Sequence, residues 1–452
     1  MIASAFVLAC SPEQPKQAVD PVLDGRPTAD VPTDGCRDWS ALDRATLPPL
    51  PKSRFSDVFS AVWTTVLEKH FDPTLNCLDW PALRQEYGAR VAEAKDVETA
   101  YAAINEMLGR LGQSHFQVIS AEHVTDEQAS GPAVCPLKVR WIDEAPIVVD
   151  AAVDEVESGV PRGAELRSID GHPVRELVDA ARVQARRPEE VAFLLGNRIA
   201  ASLHGPEGHE HTIEYVAEPG GGPEVREVAC VIPRGELVSL GNLRDLPTRV
   251  SSRMIEGTTV GYLSFNFWML PLVKDVESRL AALREQGMRA LVLDLRGNPG
   301  GVGAMSVPIA RQFLREPGSL GTLRFRDFEQ EFNVAGNPSA FDGPVAILVD
   351  EGTASTSEIF AAGMRDLGRA TIIGARASAG AALPSLLERL EGGALLQYVV
   401  GDYHSPRGNI AEGTGINPDI KVEETRADFV AGRDPVLDAA VAHLSKQEPS
   451  HP

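Results

Sequence analysis

The sequence predicts a multi-domain α/β chain: a helical N-terminal domain, a β-rich middle domain and a C-terminal domain of alternating strands and helices. Three observations predict it. Apolar residues recur at helical spacing between positions 55 and 111. Short β-type runs broken by Gly and Pro fill 130–235. From about 236 onward, strand-like and helix-like segments alternate. At 452 residues the chain is long enough for roughly two to four domains.

In the first unit, Val58, Phe59, Val62, Trp63, Val66 and Leu67 fall on one face of a helix over 55–71. Two further helical patterns cover 80–94 and 97–111, the second opened by Asp96 as an N-cap. The helical domain is placed at 37–122. It ends on Gly109-Arg110-Leu111-Gly112-Gln113-Ser114-His115-Phe116, where helix gives way to extended chain. In the middle unit, 137–141, 146–151 and 164–169 read as strands, the last running into the turn Asp170-Gly171. Glu165-Leu166-Arg167-Ser168-Ile169-Asp170-Gly171-His172-Pro173-Val174, followed by a helical stretch, resembles the middle of a PDZ domain. Such a module takes a peptide as an added strand, and it sets the second domain at 123–235.

The third domain, 236–435, opens on the β-rich run 260–265. Val273, Val276, Leu280 and Leu283 follow as a helical stripe stopped by Gly287. Strands at 290–295, 345–349 and 370–373 then alternate with helices at 306–314 and 357–367, and 436–452 reads as a tail. Alternation of this kind implies right-handed βαβ units and a mainly parallel sheet. Trp141 and Trp268 read as core.

Composition excludes several function classes. With 43 Lys plus Arg against 64 Asp plus Glu, the net charge of −21 repels phosphate backbones, so nucleic acid is not an expected partner. No run approaches the roughly 18 apolar residues of a membrane-spanning helix. At the N-terminus, the apolar residues up to Val7-Leu8-Ala9-Cys10 and the polar, Pro-rich run to Asp34 resemble a bacterial lipoprotein signal and tether, placed at 1–36. That resemblance implies export to the periplasm or cell envelope, with membrane attachment through a lipid on Cys10. Export leaves Cys36, Cys77, Cys135 and Cys230, an even number that permits two disulfides with three pairings.

In parallel sheets, chemistry gathers at the C-terminal ends of strands, and two such ends carry unusual residues. In Asp294-Leu295-Arg296-Gly297-Asn298-Pro299-Gly300-Gly301, a bare Gly-Gly lets backbone amides approach a ligand, as an oxyanion hole requires. Asp294 and Arg296 read as an ion pair that holds this loop. In Asp350-Glu351-Gly352-Thr353-Ala354-Ser355-Thr356-Ser357-Glu358, hydroxyl residues sit at a strand-to-helix turn, where a nucleophilic serine belongs. The alternative is that they only cap the helix. No Gly-x-Ser-x-Gly elbow surrounds Ser355. No lysine occurs between Lys274 and Lys421, so a base for the serine must come from the ten histidines. His204, His209 and His211 with Glu207 and Glu210 read as a solvated hairpin rather than a metal site. No P-loop, dinucleotide fingerprint or metal-ligand spacing is present, so neither metal nor cofactor is expected.

Four motifs occur in order: the 294–301 loop, Thr353-Ala354-Ser355-Thr356-Ser357-Glu358, Gly368-Arg369-Ala370 with Ile373-Gly374, and Glu412-Gly413-Thr414-Gly415-Ile416-Asn417-Pro418-Asp419. Together they resemble the tail-specific, or C-terminal processing, serine peptidases over about 50–435, a resemblance that implies a crotonase-like α/β catalytic domain. The best-known bacterial members pair the serine with a lysine in a Phe-Gly-Lys-Gly segment. Here that segment is Ser378-Ala379-Gly380-Ala381, with Gly380 at the lysine position. The Ser-Ala-Gly-Ala-Ala version is instead similar to the tricorn-type branch, which lacks the lysine. By that resemblance Ser355 is the nucleophile, His115 the general base, and Ser114 and Glu412 orient the site. Gly301 and Thr356 supply the oxyanion-hole N–H groups, with Gly300 as the alternative to Gly301. The implied activity is cleavage of unfolded protein tails or peptides through a Ser355 acyl-enzyme. The sequence departs from the family at Gln113, Ser378 and Ala381, none of which removes a proposed catalytic atom. Two alternatives stay open: a non-catalytic peptide- or hydrophobic-ligand-binding protein on the same scaffold, and an esterase or amidase using the same serine.

Overall fold

The computed structural model describes residues 35–121, 132–185, 187, 190–240 and 243–447. The lipoprotein-like sequence up to position 34, with Cys10, lies outside the described residues.

Three helices, Ser56–Lys69, Trp80–Glu93 and Val97–Gly109, form the N-terminal region. Their starts are written in the sequence. Asp96 accepts the Thr99 N–H at 2.8 Å and Asp79 accepts the Ala82 N–H at 3.0 Å, satisfying amides that a helix leaves unpaired. Trp63 and Trp80 are fully buried, and each indole N–H donates to the other residue's carbonyl, at 3.0 and 3.1 Å. A disulfide joins Cys36 to Cys77 across 41 positions. On a chain-entropy basis a loop of that length stabilises the fold by about 4 kcal/mol. The helical core does not stop at the helices: Val118, Leu390, Leu396 and Tyr398 pack into it. Strand Gln117–Ile119 pairs antiparallel with Leu395–Val399, placing Gln117 opposite Gln397.

The middle region is a five-stranded antiparallel sheet in the order Lys138–Ile142, Ala145–Asp150, Glu165–Ile169, Glu210–Val216, Glu224–Ala229. Its first hairpin turns on Asp143 and Glu144, both at positive φ (50° and 59°), the twist that a two-residue hairpin requires. Helices Val174–Gln184 and Glu190–Ser202 close over the sheet around Val148, Leu166, Leu195 and Ile213.

The C-terminal region holds the predicted mainly parallel sheet. Its order is Val250–Met254, Val260–Phe265, Ala290–Asp294, Val345–Val349, Thr371–Gly374, Ile420–Lys421, and only the first pairing is antiparallel. Both faces are covered, which is why these strands read as continuous apolar runs. Leu263, Leu293 and Ile347 face the helices Leu272–Glu285 and Thr356–Asp366. Val292, Ala346 and Leu348 face Val436, Ala440 and Leu444 of helix Pro435–Ser445. The segment read as a tail is therefore, over 435–445, a helix that seals the sheet. The helix expected over 306–314 ends at Ala310. Beyond it, Gln312 and Phe313 donate to the carbonyls three residues back, so the chain closes in tight turns.

Candidate active site

The strand Val345–Val349 delivers a turn fixed from below. Asp350 Oδ1 accepts the N–H groups of Gly297 (2.7 Å) and Gly352 (2.9 Å), and Thr353 Oγ1 donates to Leu295 O at 2.8 Å. The turn ends on Ser355, N-cap of helix Thr356–Asp366, with φ 53° and ψ −119°. A non-glycine residue held there costs on the order of 1–3 kcal/mol, so its surroundings must impose it. They do: the Ser355 N–H is held by Ala381 O (2.9 Å) and Glu358 Oε2 (3.1 Å). Of the three hydroxyl residues that could cap the helix, Ser355 occupies the cap position itself. The other two are tied into the structure. Thr356 Oγ1 donates to Gly301 O at 2.9 Å, while Ser357 Oγ accepts the Trp268 indole N–H at 2.8 Å and donates to Asn298 O at 3.0 Å.

Glu358 is the organiser of this turn. It is fully buried and accepts from Ser355 N–H, Ser378 Oγ–H (2.6 Å), Gly380 N–H (2.9 Å) and Ala381 N–H (2.9 Å). Burial pushes its carboxyl up to about 7. Four donors favour the ionised form and oppose that rise.

The Gly300-Gly301 loop lies against the same turn. A Cβ on Gly300 would meet Ser355 Cβ at 2.8 Å and Thr356 N at 3.0 Å; one on Gly301 would meet Trp268 O at 2.3 Å. Both positions also have positive φ, 104° and 146°. Gly300 donates its N–H to Asn298 Oδ1 at 3.0 Å, which leaves Gly301 as the better-suited donor of the two. Arg296 pairs with Asp294 (2.7 Å) and also with Asp434 (2.8 Å), so the expected ion pair holds the loop to the C-terminal helix.

The residues expected to form the base come together across the whole chain. Glu412 Oε1 accepts the Ser114 N–H at 2.7 Å, and Oε2 accepts both Ser114 Oγ–H (2.9 Å) and Ala382 N–H (3.1 Å). Ser114 Oγ lies 2.6 Å from His115 Nδ1. Because the carboxylate takes the serine proton, Ser114 Oγ accepts from Nδ1–H, which leaves Nε2 of the imidazole with its lone pair. His115 is buried, and burial pushes its pKa down to about 4, so the ring is neutral at pH 7. Consecutive residues join the two halves: Ala381 holds Ser355 and Ala382 holds Glu412. Glu412 thus ties Ser114 to Ala382. Gln113, one of the departures from the family, braces this corner through His70 Nε2 at 2.7 Å.

One residue had no signal in the sequence. Arg140, on the first strand of the middle region, is buried and reaches Glu351 (2.9 Å), Glu424 (3.0 Å) and Asp350 (3.5 Å), grasping the nucleophile turn from outside. The histidine-rich hairpin also differs from expectation. His211 is buried and bonds Asp170 Oδ2 at 2.8 Å, so it is not solvated, and the group formed in space is Asp170, His209 and His211. Beside Ser355 lies a small pocket with Phe332, Ile359, Ala382 and Pro384 among its walls.

This fold, with a strained buried serine at a helix N-terminus, belongs to a serine-type peptidase. Residues 259–422 match the family model described as Peptidase family S41. The chain is 28% identical over 403 residues to a carboxyl-terminal-processing protease of Synechocystis, covering 86% of this chain and 88% of that protein. It is 25% identical over 407 residues to carboxyl-terminal-processing peptidase 3, chloroplastic, of Arabidopsis thaliana, covering 85% and 73%. Among solved structures, the photosystem II D1 C-terminal processing protease superposes with TM-score 0.56 at 19% identity, covering 84% of this chain and 97% of that one. Mature CPAF superposes with TM-score 0.61 at 14% identity, covering 87% and 98%. The chain is similar to peptidase family S41 over residues 259–422 and to carboxyl-terminal-processing proteases over most of its length.

Proposed function

We propose that this peptidase cleaves unfolded protein tails or peptides through an acyl-enzyme on Ser355, with His115 as general base. His115 Nε2 takes the Ser355 Oγ proton as that oxygen attacks the scissile carbonyl carbon. The developing oxyanion accepts from the N–H groups of Gly301 and Thr356, a contribution of roughly 3–4 kcal/mol for each such donor. As the tetrahedral intermediate collapses, the proton passes from His115 to the leaving amine and the C–N bond breaks. Water, deprotonated by the same imidazole, then attacks the acyl carbon; the acyl C–O bond to Ser355 breaks, Ser355 Oγ takes the proton back from His115, and the carboxylate product leaves. Ser114 and Glu412 keep Nδ1 protonated throughout, so that Nε2 alone takes and returns the proton. The observation that carries this reading is the Glu412–Ser114–His115 hydrogen-bond chain, which spans 298 positions in sequence and ends at the segment that holds Ser355.

In this reading 37–122, 123–235 and 236–435 act as three domains, the middle one taking peptide as an added strand on a PDZ-like sheet. The protein works in the cell envelope, anchored through Cys10. The Cys36–Cys77 disulfide supports an oxidising compartment, and among the described residues no helix is long and apolar enough to cross a membrane.

The test is labelling by a fluorophosphonate probe, with the adduct mapped by mass spectrometry, in the intact protein, Ser355→Ala and His115→Ala. We expect an adduct on Ser355 that both substitutions abolish. A folded wild-type protein that stays unlabelled, even with an unfolded tail peptide present, would overturn the catalytic reading in favour of a binding protein.

A further inference from the structure

The chain enters and leaves the middle sheet through two short segments that meet side by side. Val134 and Val231 form an isolated antiparallel bridge with both bonds made: Val134 N–H to Val231 O at 2.8 Å, and Val231 N–H to Val134 O at 2.9 Å. In an antiparallel ladder, hydrogen-bonded and non-hydrogen-bonded pairs alternate, so the adjoining pair, Cys135 and Cys230, is of the second kind. The surrounding bonds agree. Cys230 turns its N–H to His209 O (2.7 Å) and its carbonyl to Gly208 N–H (2.9 Å), toward the strand on its other side and away from Cys135. Residues opposed in this way have Cα atoms about 4.5 Å apart and side chains leaving one face, within the roughly 4.4–6.8 Å that a disulfide spans. Both side chains are buried in one core, Cys135 at 7% and Cys230 at 1% exposure, and both are free thiols in this structure.

We propose that Cys135 and Cys230 are a disulfide-forming pair, closed in the mature protein as a second crosslink that clasps the neck of the middle region. This inference does not rest on the assignment of Ser355 or His115. Two S–H bonds break and one S–S bond forms. The two electrons and two protons pass to a disulfide oxidant, such as glutathione disulfide or the disulfide of a thiol oxidoreductase, which leaves as two thiols. Burial pushes the Cys135 thiol up to about 12 and raises that of Cys230 as well, so neither is a ready nucleophile once the core has closed. The bond therefore forms while the chain folds, and the same burial shields it from reductants afterwards. The clasp has a mechanical consequence. Strand Lys138–Ile142 starts three residues beyond Cys135 and carries Arg140 to Asp350 and Glu351, so the crosslink anchors the strand that grips the nucleophile turn.

The test begins with reduced, denatured protein refolded in a glutathione redox buffer, with remaining thiols blocked by N-ethylmaleimide and the protein digested without reductant. We expect a Cys135–Cys230 linked peptide beside the Cys36–Cys77 one. In graded dithiothreitol, Cys135 and Cys230 should become alkylatable only after Cys36 and Cys77. Blocked thiols at Cys135 and Cys230 in a folded protein with Cys36–Cys77 closed would overturn the proposal, as would a crossed pairing such as Cys36–Cys135. A Cys135→Ser, Cys230→Ser double variant adds a second readout: with Cys36–Cys77 closed in both proteins, its thermal midpoint should lie below that of the fully oxidised wild type. Equal midpoints for the double variant and the fully oxidised wild type would mean that no clasp forms.

Discussion

The helical and middle regions are joined to the parallel-sheet region in opposite ways. The helices share a core with it: Val118, Leu390, Leu396 and Tyr398 pack into one cluster, and the Gln117–Ile119 strand continues an adjacent sheet. The middle region is held mainly by charge. Arg140 reaches Asp350, Glu351 and Glu424. Arg426 bonds Gly163 O (2.8 Å), Val216 O (2.7 Å) and Glu165 (3.2 Å), beside a small apolar patch around Phe429. An apolar seam has little to exchange with water, so Ser114 and His115 ride on a fixed platform. The middle region instead holds the nucleophile turn through buried ion pairs, whose partners must stay matched.

The largest expected effects lie on the fixed side. Ser355→Ala and His115→Ala should each lower kcat by roughly 10⁴–10⁶-fold, since residues acting as one unit fail together. Glu412→Gln should act through the tautomer and cost about 10²–10⁴-fold with KM little changed, read by peptide hydrolysis. Equal KM and kcat effects for Glu412→Gln would mean that the chain of bonds does not serve the chemistry. On the charged side, Arg140→Ala leaves three carboxylates facing a buried void. It should destabilise by about 3–5 kcal/mol in urea unfolding, and by clearly less if Glu351 is neutralised in the same chain. Leu396→Ala tests the apolar seam, with a loss of about 2–5 kcal/mol from a cavity between the helical and sheet regions. If it also displaces His115, activity should fall more than Arg140→Lys makes it fall.

How much of this was legible beforehand follows the range of the interactions. The helix start at Asp96, the buried strands and the mainly parallel character of the sheet are written in local pattern, because caps and alternation act over a few residues. The geometry at Ser355 was also local, a hydroxyl at a strand-to-helix turn with glutamate three residues on. Ser114, His115 and Glu412 entered only through resemblance, because nothing local marks residues that meet across 298 positions. Arg140 and the hub role of Glu358 were not visible at all. An arginine on an edge strand and a glutamate in a first helical turn are ordinary until the partners arrive. Helix Pro435–Ser445 leaves little trace in the sequence because its apolar stripe of Val436, Ala440 and Leu444 is short.

The smallest effect is in pH. His115, from the helical side, has its pKa pushed down to about 4 by burial, while Glu358, from the sheet side, is pushed up to about 7. With His115 as base, kcat/KM should change little between pH 7 and 5.5, where a histidine at its ordinary pKa would lose roughly tenfold. The stability signs are opposite. Between 6.5 and 4 the unfolded chain protonates this histidine and the folded one does not, so its contribution is present above 6.5 and is lost as pH falls through that window; buried His70 acts the same way. For Glu358 the folded state holds a proton that the unfolded state gives up, so its contribution is present below the ordinary glutamate range and is lost as pH rises toward 7. Thermal midpoints measured from pH 4 to 8 should therefore fall on acidification more steeply in Glu358→Gln than in the wild type, because only the histidine component remains. Parallel curves would mean that the four donors on Glu358 outweigh its burial and keep it ionised, and that the nucleophile turn is set by hydrogen bonding alone.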